Sequence, residues 1–337
     1  MKVVLTLVVR DEADVVAAHL AYHFAAGVDL VIATDHRSQD GTTEILESYA
    51  REGRLHVIRE HGGEIRQSEW MTRMARLAAT EHGADWVLNG DADEFWWPRD
   101  GSLKDTLAAV PARYGVVRAL LRPFVPRPDD GRPFAERMIF RVSFTAAIND
   151  AATPFRSAAK AAHRASPDAA VGRGNHHVSH VPGEVLTGWF PIELFHFSLR
   201  SPAQVARKHR NTWSAWQENL RGDLARARTA AGRGEPEAFY RRVAVGDAAL
   251  ARGLAAGSLV EDTRLRDVLR SLGQAAASPA AVAGAPRTDV AFEWETLAYA
   301  DAQLVRAQRR VDELTRRVAR RERPPSVWRA RRARRSA

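Results

Sequence analysis

The chain has 337 residues, of which 45% are hydrophobic and 27% are charged. This composition is typical of a globular protein and excludes a collagen-like or wholly disordered chain. The sequence contains no cysteine, which excludes disulfides, thiolate zinc sites and a cysteine nucleophile. A bound metal ion would therefore need oxygen or imidazole ligands.

The positive charge is concentrated at the C-terminus. The formal net charge is +9, but residues 306–337 hold thirteen Arg against three acidic residues. Residues 1–305 are left with a net charge of −1, which is nearly neutral. Because the basic charge belongs to a tail, we do not expect nucleic acid as a partner of the main body.

The N-terminus lacks the pattern of a secretory signal peptide. Its apolar run, Val3–Val9, is followed at once by Arg10, Asp11 and Glu12, which leaves no room for a longer apolar core. No stretch of the sequence reaches the ~18 apolar residues of a membrane span. We expect a cytoplasmic protein, or one that associates peripherally with the inner face of a membrane.

Strand and helix patterns alternate over residues 1–88. Val3–Val9 is a nearly continuous apolar run of the kind buried on both faces of a parallel sheet. Apolar residues then recur every four positions, which predicts a helix. Further strands are predicted at 30–33, 55–58 and 86–88, and further helices at 42–50 and 67–82. This alternation predicts an open, mostly parallel α/β sheet with helices on both faces.

The second half of the chain is less regular. Strands are predicted at 115–121 and 138–144, and helices from 202 to about 272. The composition divides the chain into an α/β domain (1–215), a helical extension (216–272), a flexible linker (273–289) and a basic helical tail (290–337).

The tail contains a short heptad pattern. Leu297, Leu304, Val311 and Val318 recur every seven residues, as in a short coiled coil, and pairing of two such helices in a homodimer is one interpretation of the tail. The surrounding arginines are also suited to an anionic membrane surface, at about 1 kcal/mol per basic residue. A solvated extension without a partner is the third interpretation.

An acidic motif, Asp91-Ala92-Asp93-Glu94-Phe95, directly follows the strand at 86–88. Ligand sites in open α/β sheets lie outside the carboxyl ends of the strands. Asp91 and Asp93 flank a single residue and can converge on Mg²⁺ or Mn²⁺, which would neutralise a diphosphate. A solvated acidic loop is the alternative for so short a pattern, but its place after a buried strand favours a metal site.

A second polar segment, residues 35–42, lies between the second strand and the second helix. Local turn and capping requirements explain Asp40, Gly41 and Thr42. Asp35 is different, because its carboxylate ends a parallel strand and can accept a hydrogen bond from a base N–H or a ribose hydroxyl. Residues 10–12 occupy the equivalent place after the first strand.

These strand ends resemble the family 2-like, GT-A-type glycosyltransferases. The resemblance extends over about residues 1–215 and rests on the order and spacing of five segments: Val-Val-Arg-Asp-Glu-Ala (8–13), Gly-Val-Asp (27–29), Asp-x-x-Ser-x-Asp-Gly-Thr (35–42), Asp-Ala-Asp-Glu-Phe (91–95) and His-Phe-Ser-Leu-Arg-Ser (196–201). Gln204 and Lys208 follow the last segment at helical spacing. One departure is Asp11, where the family more often has Asn.

The resemblance implies a GT-A-type, Rossmann-like sheet and an enzyme that moves a sugar from a nucleoside-diphosphate donor, UDP- or GDP-linked, to an acceptor hydroxyl. The acceptor would be a glycan or a lipid-linked molecule in cell-envelope synthesis, and the reaction would invert the anomeric carbon. Asp91 and Asp93 would hold Mn²⁺ or Mg²⁺. The residues expected to bind the nucleotide sugar are Arg10, Asp11, Glu12, Asp35, Ser38, Asp91, Arg200 and Lys208.

A histidine completes the metal shell in that family. The best local match is Gly174-Asn175-His176-His177, where we favour His177 but keep His176, because adjacent strand residues face opposite sides. His196 is a third choice.

Lysine is rare in this chain, which has only Lys2, Lys104, Lys160 and Lys208 beside many arginines. This scarcity favours a functional role for Lys160 and Lys208, against the simpler view that they are solvated. Lys208 and Arg200 are suited to phosphate oxygens, Lys as a point charge and Arg by bidentate contact.

An inverting enzyme needs a carboxylate that deprotonates the acceptor hydroxyl. Glu94, Asp150 and Glu193 are the candidates, and the sequence does not choose among them. The functions that compete with sugar transfer are non-catalytic nucleotide-sugar binding, a metal-dependent phosphohydrolase, and nucleic-acid binding through the arginine tail.

Overall fold

The computed structural model describes residues 1–99, 101–143, 158–186, 190–219 and 236–274, with scattered positions between 306 and 317. Its Cα packing divides the chain into two units, Met1–Asp289 and Val290–Ala337. In the second unit the described positions are helical, and Glu313 pairs with Arg310 and Arg317 along that helix.

The first third of the chain forms the predicted alternation of strands and helices. Its elements are β1 (Val3–Val9), α1 (Ala13–Ala25), β2 (Leu30–His36), α2 (Thr42–Arg51), β3 (Leu55–Glu60), α3 (Gln67–Thr80) and β4 (Trp86–Asp91). The four strands are parallel in the spatial order β3-β2-β1-β4. The strand expected at Val3–Val9 is confirmed.

The middle of the chain completes the sheet. Its elements are β5 (Glu94–Pro98), α4 (Leu103–Ala108), β6 (Tyr114–Pro123), α5 (Phe134–Arg137), β7 (Phe140–Val142), β8 (Ala159–Arg164), β9 (Ala170–Val171), β10 (Val178–Ser179), β11 (Glu184–Leu186) and β12 (Ile192–His196). The sheet continues from β4 as β8-β6-β12-β5, and β11 pairs with β6. β8 runs antiparallel between β4 and β6, and β5 is antiparallel to β12. The protein therefore has the expected α/β fold, with a mixed, mostly parallel central sheet.

The C-terminal part of the first unit is less purely helical than expected. It contains α6 (Pro202–Asn219), α7 (Pro236–Val243), α8 (Asp247–Ala255), β13 (Leu259–Glu261) and α9 (Arg264–Gln274). β13 pairs antiparallel with β7, more than a hundred residues earlier in the chain. A three-residue strand gives too little periodic pattern to predict from sequence. The strand expected at 138–144 begins later than expected, since the ladder with β13 runs from Phe140 to Val142, and Phe144 lies outside the described residues.

Alternating residues of β1 pack into two different cores. Leu5 and Leu7 are fully buried in the larger core, together with residues of α1 and α9. Val4 is buried in a smaller core with Met71 and Met74 of α3. Burial on both faces explains the continuous apolar run of this strand. In the part of the chain that the structure describes, no helix is long and apolar enough to cross a bilayer.

Candidate functional site

The carboxyl ends of three neighbouring strands form one edge of the sheet. β1 lies between β2 and β4, with Val9 beside Asp35 and Val8 beside Asp91. The residues that follow β1 therefore meet Asp35 and the acidic motif, as the sequence predicted. Ligands of open α/β sheets bind in this kind of crevice.

Asp91 ends β4 and is surrounded by hydrogen-bond donors. Gln67 donates its side-chain amide to Asp91 Oδ1 at 3.0 Å, and Asn175 donates to the same oxygen at 3.4 Å. The Lys160 ammonium lies 2.8 Å from Asp91 Oδ2. Gln67 begins α3, and Asn175 lies in a tight turn after β9. Three distant parts of the chain thus converge on this carboxylate.

Asp93 is buried and faces three basic side chains. Lys208 Nζ lies 3.0 Å from Asp93 Oδ2, and Arg200 is 3.7 Å from the same oxygen. His196 Nε2 is 3.8 Å from the other carboxylate oxygen. Burial alone would raise the pKa of Asp93, but Lys208 and Arg200 hold this pKa well below its usual range. Burial lowers the pKa of His196 to about 4, so its imidazole is neutral at physiological pH. Asp93 is therefore ionised throughout the physiological range.

Glu94 turns back onto the acidic motif instead of facing the cleft. Its side chain is 1% exposed, accepts a hydrogen bond from the Asp91 backbone N–H at 3.1 Å, and lies 2.9 Å from the Lys160 ammonium. Burial, reinforced by the neighbouring Asp91 and Asp93 carboxylates, raises the pKa of Glu94 to about 8, although Lys160 opposes this shift. These contacts fit a residue that fixes the β4–β5 turn better than one that meets an acceptor.

The two other candidates for the catalytic base are Glu193 and Asp150. Glu193 is 3% exposed, and Arg122 and Arg264 donate to its two carboxylate oxygens at 2.5 and 2.6 Å. Arg264 also pairs with Asp262, which in turn accepts from Arg141. Glu193 is thus committed to a buried ion-pair network that ties the C-terminal segment to the sheet. Asp150 lies outside the described residues.

Hydrogen bonds of Arg200 connect the start of α1 to the segment that follows β12. Its guanidinium, 1% exposed, donates to Asp14 at 2.8 Å and also to Glu12, and it reaches the Phe197 carbonyl at 3.1 Å. Burial raises the pKa of Glu12, although Arg200 and Lys208 oppose this shift. Most N–H groups of the Arg200 guanidinium are thus already hydrogen-bonded to the protein. This position suits a residue that holds the loops of the site together better than one that contacts phosphate directly.

The loops after β1 and β2 are joined by hydrogen bonds. Asp35, 4% exposed, accepts from the Ser38 backbone N–H at 3.1 Å and from the Thr43 hydroxyl at 2.5 Å. Ser38 Oγ accepts from the Asp11 N–H at 3.1 Å, and Asn211 of α6 donates to Asp11 Oδ2 at 2.6 Å. Arg10 follows β1 in the same loop.

The backbone of Asp11 adopts a left-handed conformation, with φ of 55°. Asp and Asn tolerate this conformation better than most residues, which explains why Asp fits where the resembled family more often has Asn. Asp11, Asp35 and Ser38 thus act first as the framework of the crevice.

His176 and His177 do not join the two aspartates, whereas His196, the third choice, has its Nε2 3.8 Å from Asp93 Oδ1. His177 contacts Arg118 at 3.4 Å, and His176 contacts the Ala159 carbonyl at 2.8 Å. Their neighbour Asn175 reaches Asp91 instead. Among the described residues there is no group of three or more His, Asp or Glu side chains that could hold a metal ion. Because both aspartates already face ammonium groups, the donor set of the described residues does not fit the Mn²⁺ or Mg²⁺ that the resemblance implies.

Three residues of this site were not assigned from sequence. Gln67 and Asn175 carry no motif, and their roles emerge only when α3 and the turn after β9 pack beside β4. His19 of α1 is fully buried, and burial lowers its pKa to about 3, so it lies neutral below the acidic turn. The position of Lys160 on β8, by contrast, had one signal in the sequence, namely the scarcity of lysine.

No protein-family model matches the chain, and no curated protein matches it either. Solved structures do. Staphylococcus aureus TarS 1–349 in complex with UDP is 14% identical over 76% of this chain and 72% of that one, with a TM-score of 0.33. The same protein in complex with UDP-GlcNAc gives the same identity and TM-score. Mycobacterium tuberculosis glucosyl-3-phosphoglycerate synthase, in complex with Mn²⁺, UDP and phosphoglyceric acid, is 17% identical over 40% of this chain and 45% of that one, with a TM-score of 0.26.

Proposed function

We propose that the protein is a glycosyltransferase that moves a sugar from a nucleoside-diphosphate donor to an acceptor hydroxyl, with inversion at the anomeric carbon. The observation that carries this proposal is the convergence of the Asp11 loop, Asp35 and the acidic motif at one sheet edge, with two lysines against the motif. The order of the sequence motifs along the same strands supports it. We propose UDP- and GDP-linked sugars as the donors to test first.

The crevice separates two tasks. The loops after β1 and β2 offer backbone groups and the Asp11 carboxylate to a base and a ribose, while Asp35 fixes the second loop through Ser38 and Thr43. Lys160 and Lys208, which lie beside the acidic motif, are the cations that a diphosphate requires. Lys208 is the accessible one of the two, since its side chain is 49% exposed. An ammonium group binds phosphate oxygens as a point charge. A donor would therefore lie with its nucleoside over β1 and β2 and its diphosphate beside α6.

The chemistry requires stabilisation of a departing diphosphate while the sugar develops positive charge. Positioned cations in a partly desolvated crevice supply this stabilisation. The acceptor proton must pass to a base. Because Glu94 and Glu193 are held in buried ion pairs, Asp150 is the remaining member of the predicted set, and we propose it as the first base to test.

Partners and location follow from the sequence alone. We propose a glycan or lipid-linked acceptor, a cytoplasmic location, and contact of the arginine-rich tail with an anionic membrane surface. The heptad pattern of residues 297–318 is proposed to form a homodimer.

Nucleotide binding tests the proposal without knowledge of the acceptor. Thermal unfolding of the full chain is measured with UDP, GDP, ADP and CDP, each with and without Mn²⁺. Selective stabilisation by one nucleoside diphosphate is expected, because a ligand that binds only the folded state raises its stability. Equal melting temperatures with all nucleotides would contradict the proposal.

A second test separates an enzyme from a non-catalytic binding protein. The chain is incubated with donor sugars of the preferred nucleotide, and release of the nucleoside diphosphate is followed by mass spectrometry. Release that stops in Asp93→Asn, with its fold intact, supports an enzyme. Binding without any release, even with an acceptor library present, supports a non-catalytic protein.

A further inference from the structure

Each aspartate of the acidic motif is paired with a lysine. Lys160 Nζ lies 2.8 Å from Asp91, and Lys208 Nζ lies 3.0 Å from Asp93. The sequence contains only four lysines, so half of them are at this motif. Two carboxylates and two ammonium groups together carry no net charge. Two carboxylates and one divalent cation would have the same net charge of zero.

Lys160 is a fixed cation. It lies on β8, directly beside β4, with its side chain 5% exposed between Asp91 and Glu94. Its ammonium lies 2.8 Å from Asp91 Oδ2 and 2.9 Å from Glu94 Oε1. A divalent cation bound to Asp91 would face this ammonium group, and like charges repel strongly in a partly desolvated site.

The remaining oxygen of Asp91 also faces donors. Gln67 and Asn175 both point N–H groups at Oδ1. Asp91 is thus satisfied by three protein donors from three separate elements. The Asp91 side chain is 31% exposed, and its protein donors are amide and ammonium groups.

Lys208 is the exposed cation. It lies on α6 with its side chain 49% exposed and its Nζ 3.0 Å from Asp93 Oδ2. When the ammonium turns to a ligand, Asp93 keeps Arg200 at 3.7 Å and His196 at 3.8 Å. The aspartate is therefore not left without a partner.

From this arrangement we infer that the site transfers its sugar without a divalent metal, with the ammonium groups of Lys208 and Lys160 in its place. This inference rests on the proposed function. Lys208 binds oxygens of the donor diphosphate, and Lys160 neutralises the acidic motif so that the diphosphate is not repelled.

During transfer, the bond between the anomeric carbon and the β-phosphate oxygen breaks and its electron pair stays on that oxygen, which Lys208 stabilises. A new bond forms between the anomeric carbon and the acceptor oxygen, whose proton passes to a base. No oxidant, reductant or further reactant is required.

Calorimetric titration with UDP and with GDP tests the inference. The full chain is titrated in EDTA and, separately, in Mn²⁺. The expected result is binding of at least one nucleotide with a dissociation constant that differs less than about threefold between the two conditions, because the ammonium groups already supply the charge. Binding that requires Mn²⁺ would overturn the inference while leaving the proposed function intact. If neither nucleotide binds in either condition, the proposal of UDP- and GDP-linked donors fails, and the inference fails with it.

Variants identify the cation. Lys208→Met keeps the side-chain stem and removes the charge, and Lys104→Met removes a lysine from a comparable exposed pair, Lys104 with Asp29 at 2.6 Å, on another part of the molecule. In EDTA, Lys208→Met is expected to weaken nucleotide binding by about tenfold or more, since charge-assisted hydrogen bonds to phosphate are strong, whereas Lys104→Met binds as the wild type does. Lys208→Arg should retain part of the affinity. Wild-type affinity in Lys208→Met would overturn the inference.

Discussion

Lys208 meets Asp93 at 3.0 Å although 115 residues separate them in the chain. The contact joins α6 to the turn between β4 and β5, and it places the most exposed cation of the site against its most buried aspartate. This turn also carries Asp91, so the helix and the strand ends form one unit. The predictions below follow from that arrangement.

Asp93→Asn is expected to reduce sugar transfer by about 100-fold or more, in the range found when one electrostatic group of an active site is lost. The substitution keeps the shape of the side chain and removes the charge that holds Lys208 and Arg200. Steady-state rates with the preferred donor check this, and circular dichroism checks the fold. A variant that turns over at the wild-type rate would contradict the role of Asp93.

Gln67→Glu is expected to weaken nucleoside-diphosphate binding by about tenfold. The change places a second carboxylate beside Asp91 Oδ1, where the amide now donates at 3.0 Å, and an added negative charge disfavours an anionic ligand. Gln67→Met, which removes the hydrogen bond without adding charge, is the control and should show a smaller loss. Equal affinities of the two variants would exclude the electrostatic explanation.

Arg264→Ala is expected to destabilise the protein by about 3–5 kcal/mol, because it leaves the buried carboxylates of Glu193 and Asp262 without their shared partner. Arg270→Ala removes an exposed pair with Glu136 from the same helix and should destabilise the protein far less, because solvent screens exposed ion pairs. Urea unfolding measures both. Similar losses for the two variants would show that the buried network does not anchor the C-terminal segment.

Glu94 is expected to give the protein a specific pH dependence. Its pKa is about 8 in the folded protein and about 4.5 when unfolded, so the folded state binds the additional proton between these values. The unfolding free energy should therefore fall as the pH rises from about 5 to 8.

Glu94→Gln removes this titration. The unfolding free energy of the wild type relative to Glu94→Gln, measured in urea, should decline steadily over that range. A difference that stays constant, or that grows with pH, would show that burial does not raise the pKa of Glu94.

Much of the fold and the place of the site could be predicted from sequence. The apolar run Val3–Val9 indicated a strand buried on both faces, and β1 has those bounds. Asp35 and Asp91 were assigned to one sheet edge because parallel strands end together, and the register confirms this.

The surroundings of individual side chains could not be predicted in the same way. Glu193 was one of three candidate bases, yet its carboxylate is paired with Arg264, which is 71 residues away in the chain. In the turn that carries His176 and His177, the side chain that reaches Asp91 is that of Asn175. The geometry of this turn depends on left-handed backbone at Gly174 and Asn175. Such contacts depend on tertiary packing, which local patterns do not encode.

The central claim is that this crevice transfers sugars from a nucleoside diphosphate. Its most direct test is mass-spectrometric detection of nucleoside diphosphate and glycosylated product when the wild-type chain and Asp93→Asn are incubated with UDP- and GDP-sugars and a mixture of glycan and lipid-linked acceptors. The account predicts paired formation of both products from one class of donor by the wild type, with almost none by the variant. Equal amounts in the two samples, or no product from any donor, would contradict it.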